Sequence, residues 1–336
     1  SRSQKGATSA LEELDEKWTH KLLKQTPEVY HTQINDLLLT ALAGAIYSWA
    51  GGESGAEPKK ARVRVDLEGH GRQELSEDLD LSRTVGWFTA LYPVTLEVRA
   101  GEGLGERLKR IKEELRGAPR GGIGYGVLKY LGEDESSRQL KERGESEISF
   151  NYLGQTDQVL GEEMGMRVAR ERVGETSDPS SVRSHQLDVT ALVSGGRLRV
   201  LMSCSEEMEG ERRIEELARG YVEELKELIR HCVEEAKGGH TPSVFELAKV
   251  SQEKIDELES RGEEIEEIYK LSPLQEGLLF HNVYEEGSGL YVVQLSYRLE
   301  GDLDREALKG AWEEVTRRHE VLRTGYEWEG VDEMLA

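Results

Sequence analysis

Glu68 stands where an alternating run stops. Val63, Val65 and Leu67 alternate with Arg62, Arg64 and Asp66, a period of two that predicts a strand with one wet face. That strand leads directly into Glu68-Gly69-His70-Gly71-Arg72. A carboxylate between an apolar run and glycines can be held in a cleft with a raised pKa and used to move protons. The same residue in the same place also serves as a solvated loop acid, and composition leaves both readings open. A second alternating run, Ile148, Phe150 and Tyr152, stops at Gly154. Parity makes Tyr152 a core tyrosine and turns Asn151 to the opposite face. His70 reads as a hydrogen-bonded loop residue rather than as a base.

Other chemistries find little footing. The histidines are His20, His31, His70, His185, His231, His240, His281 and His319, none adjacent and none in a His-Glu-x-x-His spacing. Cys204 and Cys232 make no disulfide framework. There is no Gly-x-Ser-x-Gly elbow and no phosphate-binding glycine loop ending in Lys-Ser or Lys-Thr. The run Gly121-Gly122-Ile123-Gly124-Tyr125-Gly126 approaches a dinucleotide fingerprint but fails it. Val127 stands where the last glycine belongs, and no strand precedes the run. A tight backbone turn is the better reading.

The elements that must position Glu68 and Asn151 follow from periodicity. Leu11, Leu14, Trp18 and Leu22 recur at helical spacing, and a second helix runs from about Ile34 to Trp49, apolar on more than one side. Leu104, Leu108, Ile111 and Leu115 predict a further amphipathic helix, ended by Gly117 and Pro119. Gly161 to Ser181 reads as a surface excursion, and Leu198 to Cys204 as a strand. A long helix follows with Ile214, Leu217, Tyr221, Leu225, Leu228 and Cys232 on one stripe. Later come an expected strand from Tyr291 to Leu299, a helix carrying Leu308, Trp312 and Val315, and a strand from Val321 to Trp328. The fold class is mixed α/β, in two unequal pieces, 1–236 and 263–336, joined by a polar linker over 237–262.

The chain of 336 residues carries 66 acidic against 44 basic side chains, a formal net charge of -22. Such a surface repels a phosphate backbone, so no nucleic-acid partner is expected. No apolar run approaches the ~18 residues that span a bilayer, so no membrane partner is expected either, and a cytoplasmic location is. The chain opens on Ser1 rather than Met, and both ends read as cuts in a longer polypeptide.

Taken in order, several segments resemble the epimerization domains of nonribosomal peptide synthetases. They are Ile34-Asn35-Asp36-Leu37-Leu38-Leu39-Thr40-Ala41-Leu42, Glu68-Gly69-His70-Gly71-Arg72, and Arg83-Thr84-Val85-Gly86-Trp87-Phe88-Thr89-Ala90-Leu91-Tyr92-Pro93-Val94. Gly122 to Leu131 and Phe150-Asn151-Tyr152-Leu153-Gly154-Gln155 complete the set. Farther on, Tyr269-Lys270-Leu271-Ser272-Pro273-Leu274-Gln275-Glu276-Gly277-Leu278-Leu279-Phe280-His281 and Arg318-His319-Glu320-Val321-Leu322-Arg323-Thr324 resemble the opening of a condensation domain of the subtype that accepts a D-configured donor.

The resemblance implies a chloramphenicol acetyltransferase-like fold: the C-terminal lobe of an epimerization domain over 1–236, then the N-terminal portion of a condensation domain over 263–336. It implies conversion of a carrier-bound L-aminoacyl or peptidyl thioester to the D form by removal and return of the α-proton. No cofactor is bound directly; 4'-phosphopantetheine is presented by a partner carrier domain of the same synthetase. Glu68 is implied as one proton-transfer group, with Asn151 and Tyr152 lining the same site. The Trp87 region resembles a tunnel-floor segment. The family's His-His-x-x-x-Asp motif, implied to supply the opposing group, does not occur in this sequence, so the segment alone is expected to be inactive. The rival readings are a non-catalytic docking scaffold for carrier domains and a peptide-bond-forming condensation domain throughout. Glu68-Gly69-His70-Gly71-Arg72 disfavours the second.

Overall fold

The structure is a computed structural model. It describes residues 7–54, 59–73, 80–156, 178, 180–205, 211–236, 238–262, 264–284, 291 and 293–336. The chain divides into two compact units, Ser1–Gly239 and His240–Ala336.

The first unit begins with β1 (Thr8–Leu14), α1 (Glu16–Lys24), α2 (Thr26–Tyr30) and α3 (Ile34–Ser54), then β2 (Lys60–Gly69) and β3 (Ala90–Arg99). Next come α4 (Leu104–Arg116), α5 (Ile123–Gly126), α6 (Glu135–Glu142), β4 (Ile148–Gln155), β5 (Leu187–Ser194), β6 (Arg197–Cys204) and α7 (Glu211–Arg230). The six strands form one sheet in the order β1-β6-β5-β4-β2-β3. Pairing is antiparallel except where β4 lies parallel to both β2 and β5.

One face of this sheet is apolar and covered by helices. Val63, Val65 and Leu67 of β2, Phe150 of β4, Leu187, Val189, Ala191 and Val193 of β5, and Leu198, Val200 and Met202 of β6 share a single core with α3, α4 and α7. Leu37, Leu38, Leu39, Ala41, Leu42 and Ala43 are all buried, so α3 is enclosed on every side, as its apolar sequence predicts. In α7 the buried residues Ile214, Leu217, Ala218, Tyr221, Leu225, Leu228 and Ile229 keep to one stripe, and the charged residues take the other face. The alternate residues of each strand must therefore meet the other face of the sheet.

Several expectations are corrected here. Leu11 and Leu14 belong to β1, not to a helix. Asp15 accepts a hydrogen bond from the Trp18 amide at 2.9 Å, and this cap starts α1 at Glu16. Strands β3 and β5 are additional elements. Gly122 lies in a turn, as expected, but the turn is followed by α5, and Arg120, Gly121 and Gly122 all have positive φ. The excursion from Gly161 to Ser181 lies mostly outside the described residues.

In the second unit, α8 (Gln252–Ser260), α9 (Pro273–Tyr284) and α10 (Arg305–Arg318) accompany a small core of Phe245, Val250, Ile255, Leu258, Ile268 and Leu335. The segment 240–262 is thus part of a folded unit rather than a free linker: Ser251 caps α8, and four of its apolar side chains enter the core. The expected helix over Leu308, Trp312 and Val315 is α10. The expected strand from Tyr291 to Leu299 is irregular chain at its described residues, with Tyr297 81% exposed. Val321 to Trp328 holds a short 3-10 turn at Glu320–Leu322 and, at Glu327, an isolated bridge to Leu335. Alternation alone does not make a strand without a partner edge.

Candidate active site

The other face of the sheet collects the polar residues that interrupt each apolar alternation. Asp66 and Glu68 come from β2, Ser149 and Asn151 from β4, Asp188 from β5 and Ser203 from β6. Strand β2 runs beside β4 in parallel over Val65↔Ile148, Asp66↔Ser149 and Leu67↔Phe150. The next position in that register is Glu68 beside Asn151. There the Asn151 Nδ2 donates to Glu68 Oε2 at 2.8 Å, so a side-chain bond continues where the pairing stops. Glu68 is exposed and Asn151 is half-buried, which leaves the carboxylate reachable while one of its oxygens is oriented.

The turn after Glu68 is built tightly. The Arg72 amide donates to His70 Nδ1 at 2.9 Å, so His70 closes the turn, as its loop reading predicts. Gly71 has φ of 64°, and a Cβ there would lie 1.5 Å from the Phe88 carbonyl oxygen. Only glycine fits. The Arg72 guanidinium donates to the carbonyls of Leu81 at 2.5 Å and Thr84 at 2.8 Å and lies 4.3 Å over the Phe88 ring. Arg72 therefore ties the Glu68 turn to the segment that leads into β3. Beside it an open cavity of about 420 Å³ is lined by Asp66, Gly71, Phe88, Leu91, Tyr125 and Tyr130, among others. Trp87 is exposed.

Tyr152 does not join Glu68 and Asn151. It packs against the helix-side core, on the opposite face of β4 from Asn151, and burial pushes its phenol above the ordinary range. The expectation that it lines the same site as Glu68 is corrected on this parity.

Below Glu68 on the same face lies a buried polar cluster that sequence reasoning misses. His185 Nε2 is 2.9 Å from Asp66 Oδ2, and its Nδ1 is 3.5 Å from Asp188 Oδ1. Ser146 Oγ donates to Asp66 Oδ1 at 2.5 Å, and Ser149 Oγ to Asp188 Oδ1 at 2.5 Å. Arg183 donates to Asp188 Oδ2 at 2.5 Å and to the Ser203 carbonyl at 2.9 Å. The hydrogen bonds of Asp188 and then Asp66 raise His185 to about 9, against the opposing effect of burial. Burial works against the charge on Asp66, but the bonds from His185 and Ser146 outweigh it and hold that carboxyl below its ordinary value. No local motif marks this cluster, because Asp66 and His185 lie 119 residues apart.

Among the described residues no group of three or more His, Cys, Asp or Glu could hold a metal ion, and no helix is long and apolar enough to cross a membrane.

A mixed sheet with helices on its apolar face and polar groups on the other is a lobe of the chloramphenicol acetyltransferase-like condensation fold. Residues 2–250 and 265–335 match the Condensation domain family. The chain belongs to the condensation-domain family of nonribosomal peptide synthetases. It is 46% identical over 316 residues to one of the linear gramicidin synthase subunits of Brevibacillus parabrevis, covering 94% of this chain and 4% of that protein. Similarity to tyrocidine synthase 1 of the same organism is 36% over 248 residues, covering 71% of this chain and 22% of the relative. The chain thus spans a small part of the length of these relatives. Among solved structures, the epimerization domain from the third module of tyrocidine synthetase B superposes with a TM-score of 0.61 at 36% identity, over 69% of this chain and 50% of that one.

Proposed function

We propose that 1–236, inside the family match over 2–250, is the C-terminal lobe of an epimerization domain and that 263–336, which holds the second match over 265–335, opens a condensation domain that receives its product. The substrate is an aminoacyl or peptidyl thioester carried on the 4'-phosphopantetheine arm of a carrier domain in the same synthetase. The observation that carries this reading is the exposed Glu68 carboxylate, oriented by Asn151 at 2.8 Å at a strand end. Further support comes from the 36% identity to an epimerization domain of the same lobe architecture.

The chemistry follows from acidity. A thioester carbonyl acidifies the α-carbon, so breaking the Cα–H bond sends its electron pair to the carbonyl oxygen as an enolate. A positioned base must take the proton, and an acid on the other face must return one. Glu68 serves one face, accepting the proton in one direction and donating it in the other. Asn151 holds the carboxylate in line, and Arg72 fixes the turn from which Glu68 projects. The opposing group is not supplied by an adjacent histidine pair of this sequence, which contains none.

The test uses the synthetase module that carries these residues, loaded with an L-aminoacyl thioester and followed by chiral analysis of the released amino acid. Glu68→Gln should leave the L form unconverted while carrier loading is unchanged. Undiminished D product would remove Glu68 from the chemistry.

A further inference from the structure

We propose that His185 is a positioning residue for Glu68, clamping strand β2 to β4 and β5 directly beneath the reacting carboxylate. The inference rests on the epimerase reading above and concerns what holds Glu68 in place.

Strands β2 and β3 are joined to each other over ten register pairs, from Lys60↔Arg99 to Gly69↔Ala90. Their attachment to the rest of the sheet is far slighter. Only Val65, Asp66 and Leu67 pair with β4, in parallel, and β3 is the edge strand. Parallel pairing is also the slightly weaker kind per residue. Asp66, the middle residue of those three, is the one that His185 grips at 2.9 Å, and it lies two positions before Glu68 on the same face.

The other side of the clamp is well anchored. His185 also faces Asp188 of β5, which accepts from Ser149 of β4 and from Arg183, and Arg183 reaches the Ser203 carbonyl of β6. One imidazole thus links the strand that carries Glu68 to the three strands beyond it. A shift of the β2–β3 pair would first disturb the 2.8 Å bond between Asn151 on β4 and Glu68 on β2.

The clamp depends on protonation. With a carboxylate at each ring nitrogen, only the imidazolium can donate on both sides; a neutral ring turns a lone pair toward one aspartate. The charged groups that face it are Asp66 and, farther off, Arg64 from β2, Asp188 from β5 and Arg183 from its own segment, with the Ser146 and Ser149 hydroxyls on the two carboxylates. The cation is favoured until about pH 9.

Four forms of the loaded module test this: the unaltered protein, Glu68→Gln, His185→Gln and Asp188→Asn, with the single-turnover rate constant for epimerization, written kcat below, taken by rapid quench from pH 6.5 to 10. Misplacing a catalytic group by about 1 Å costs up to about 10²-fold. The His185→Gln variant should therefore lose about tenfold to a hundredfold in kcat, with carrier loading unchanged. In the unaltered module kcat should fall along an alkaline limb near pH 9, absent from His185→Gln and moved to lower pH in Asp188→Asn. The Asp188→Asn profile carries the test if His185→Gln does not fold. If Glu68→Gln is inactive while the two clamp variants keep both the unaltered kcat and its pH profile, this inference is overturned and the epimerase reading stands. Full conversion by Glu68→Gln would overturn the epimerase reading itself.

Discussion

Asn151 and Glu68 are the first register pair past the end of the β2–β4 ladder, and they are joined by side chains at 2.8 Å. Asn151 has one task there, to donate. Replacing it with Ala should lower epimerization about tenfold, because Glu68 remains but is no longer held in line. Asn151 is half-buried and its bond is solvent-accessible, so the melting temperature should move by only a degree or two. An unchanged rate would show that Glu68 needs no orienting partner.

His185 also governs how stability depends on pH. Its folded value is raised to about 9 from an ordinary 6.5, so the stability it contributes is complete below about pH 6.5 and disappears as pH rises through 9. At ~1.4 kcal/mol per unit of pKa, less some screening, the effect is on the order of 2 kcal/mol. Thermal melts of this chain should decline between pH 6.5 and 9.5, and His185→Gln should flatten that decline. Parallel curves for the two proteins would contradict the clamp's ionisation.

Much of the fold is legible in the residues, and the exceptions have physical causes. Helices α3, α4 and α7 keep the apolar residues that covering a sheet face demands. Strand β1 is hidden because Leu11 and Leu14 happen to fit helical spacing with Trp18 and Leu22, while Asp15 caps a helix that begins only at Glu16. Strand β3 contains Pro93, which argues against a central strand but suits the sheet edge where β3 lies. Glu68 and Asn151 can be read because local alternation stops at the first and turns the second to the polar face of its strand. His185 cannot, since its meaning depends on Asp66 arriving from a distant strand. Tyr152 shows the reverse error: adjacency to Asn151 suggests one site, whereas strand parity separates them.

Tyr221 is fully buried, and its hydroxyl has no hydrogen-bond partner among the described residues. Burial alone pushes its phenol far up. Because a buried unsatisfied hydroxyl costs about 1–3 kcal/mol, Tyr221→Phe should stabilise the first unit, raising its melting temperature by a few degrees. A clear loss of stability would mean that the hydroxyl is satisfied after all.

The second unit exposes large apolar side chains on its helices, among them Phe280, Tyr284 and Trp312, the last 64% exposed. Few buried contacts mean easy local opening. Limited trypsin digestion should therefore cleave first at Arg305, Lys309 or Arg317, and later in the core-forming segment around α8. Survival of the second unit after the first has been digested would contradict this order.

In the proposed reaction Glu68 moves the proton. The most direct measurement is deuterium wash-in at the α-carbon, starting from both the L- and the D-aminoacyl thioester on the module that carries this chain, for the unaltered protein and for Glu68→Gln. General acid–base groups contribute ~10²–10⁴-fold each. Glu68→Gln keeps the side chain's size, so wash-in should fall by that order while the melting temperature stays put. The loss should also differ between the two starting configurations, because the two faces of the α-carbon use different groups. Wash-in at the unaltered rate from both substrates would return Glu68 to the status of a solvated loop acid.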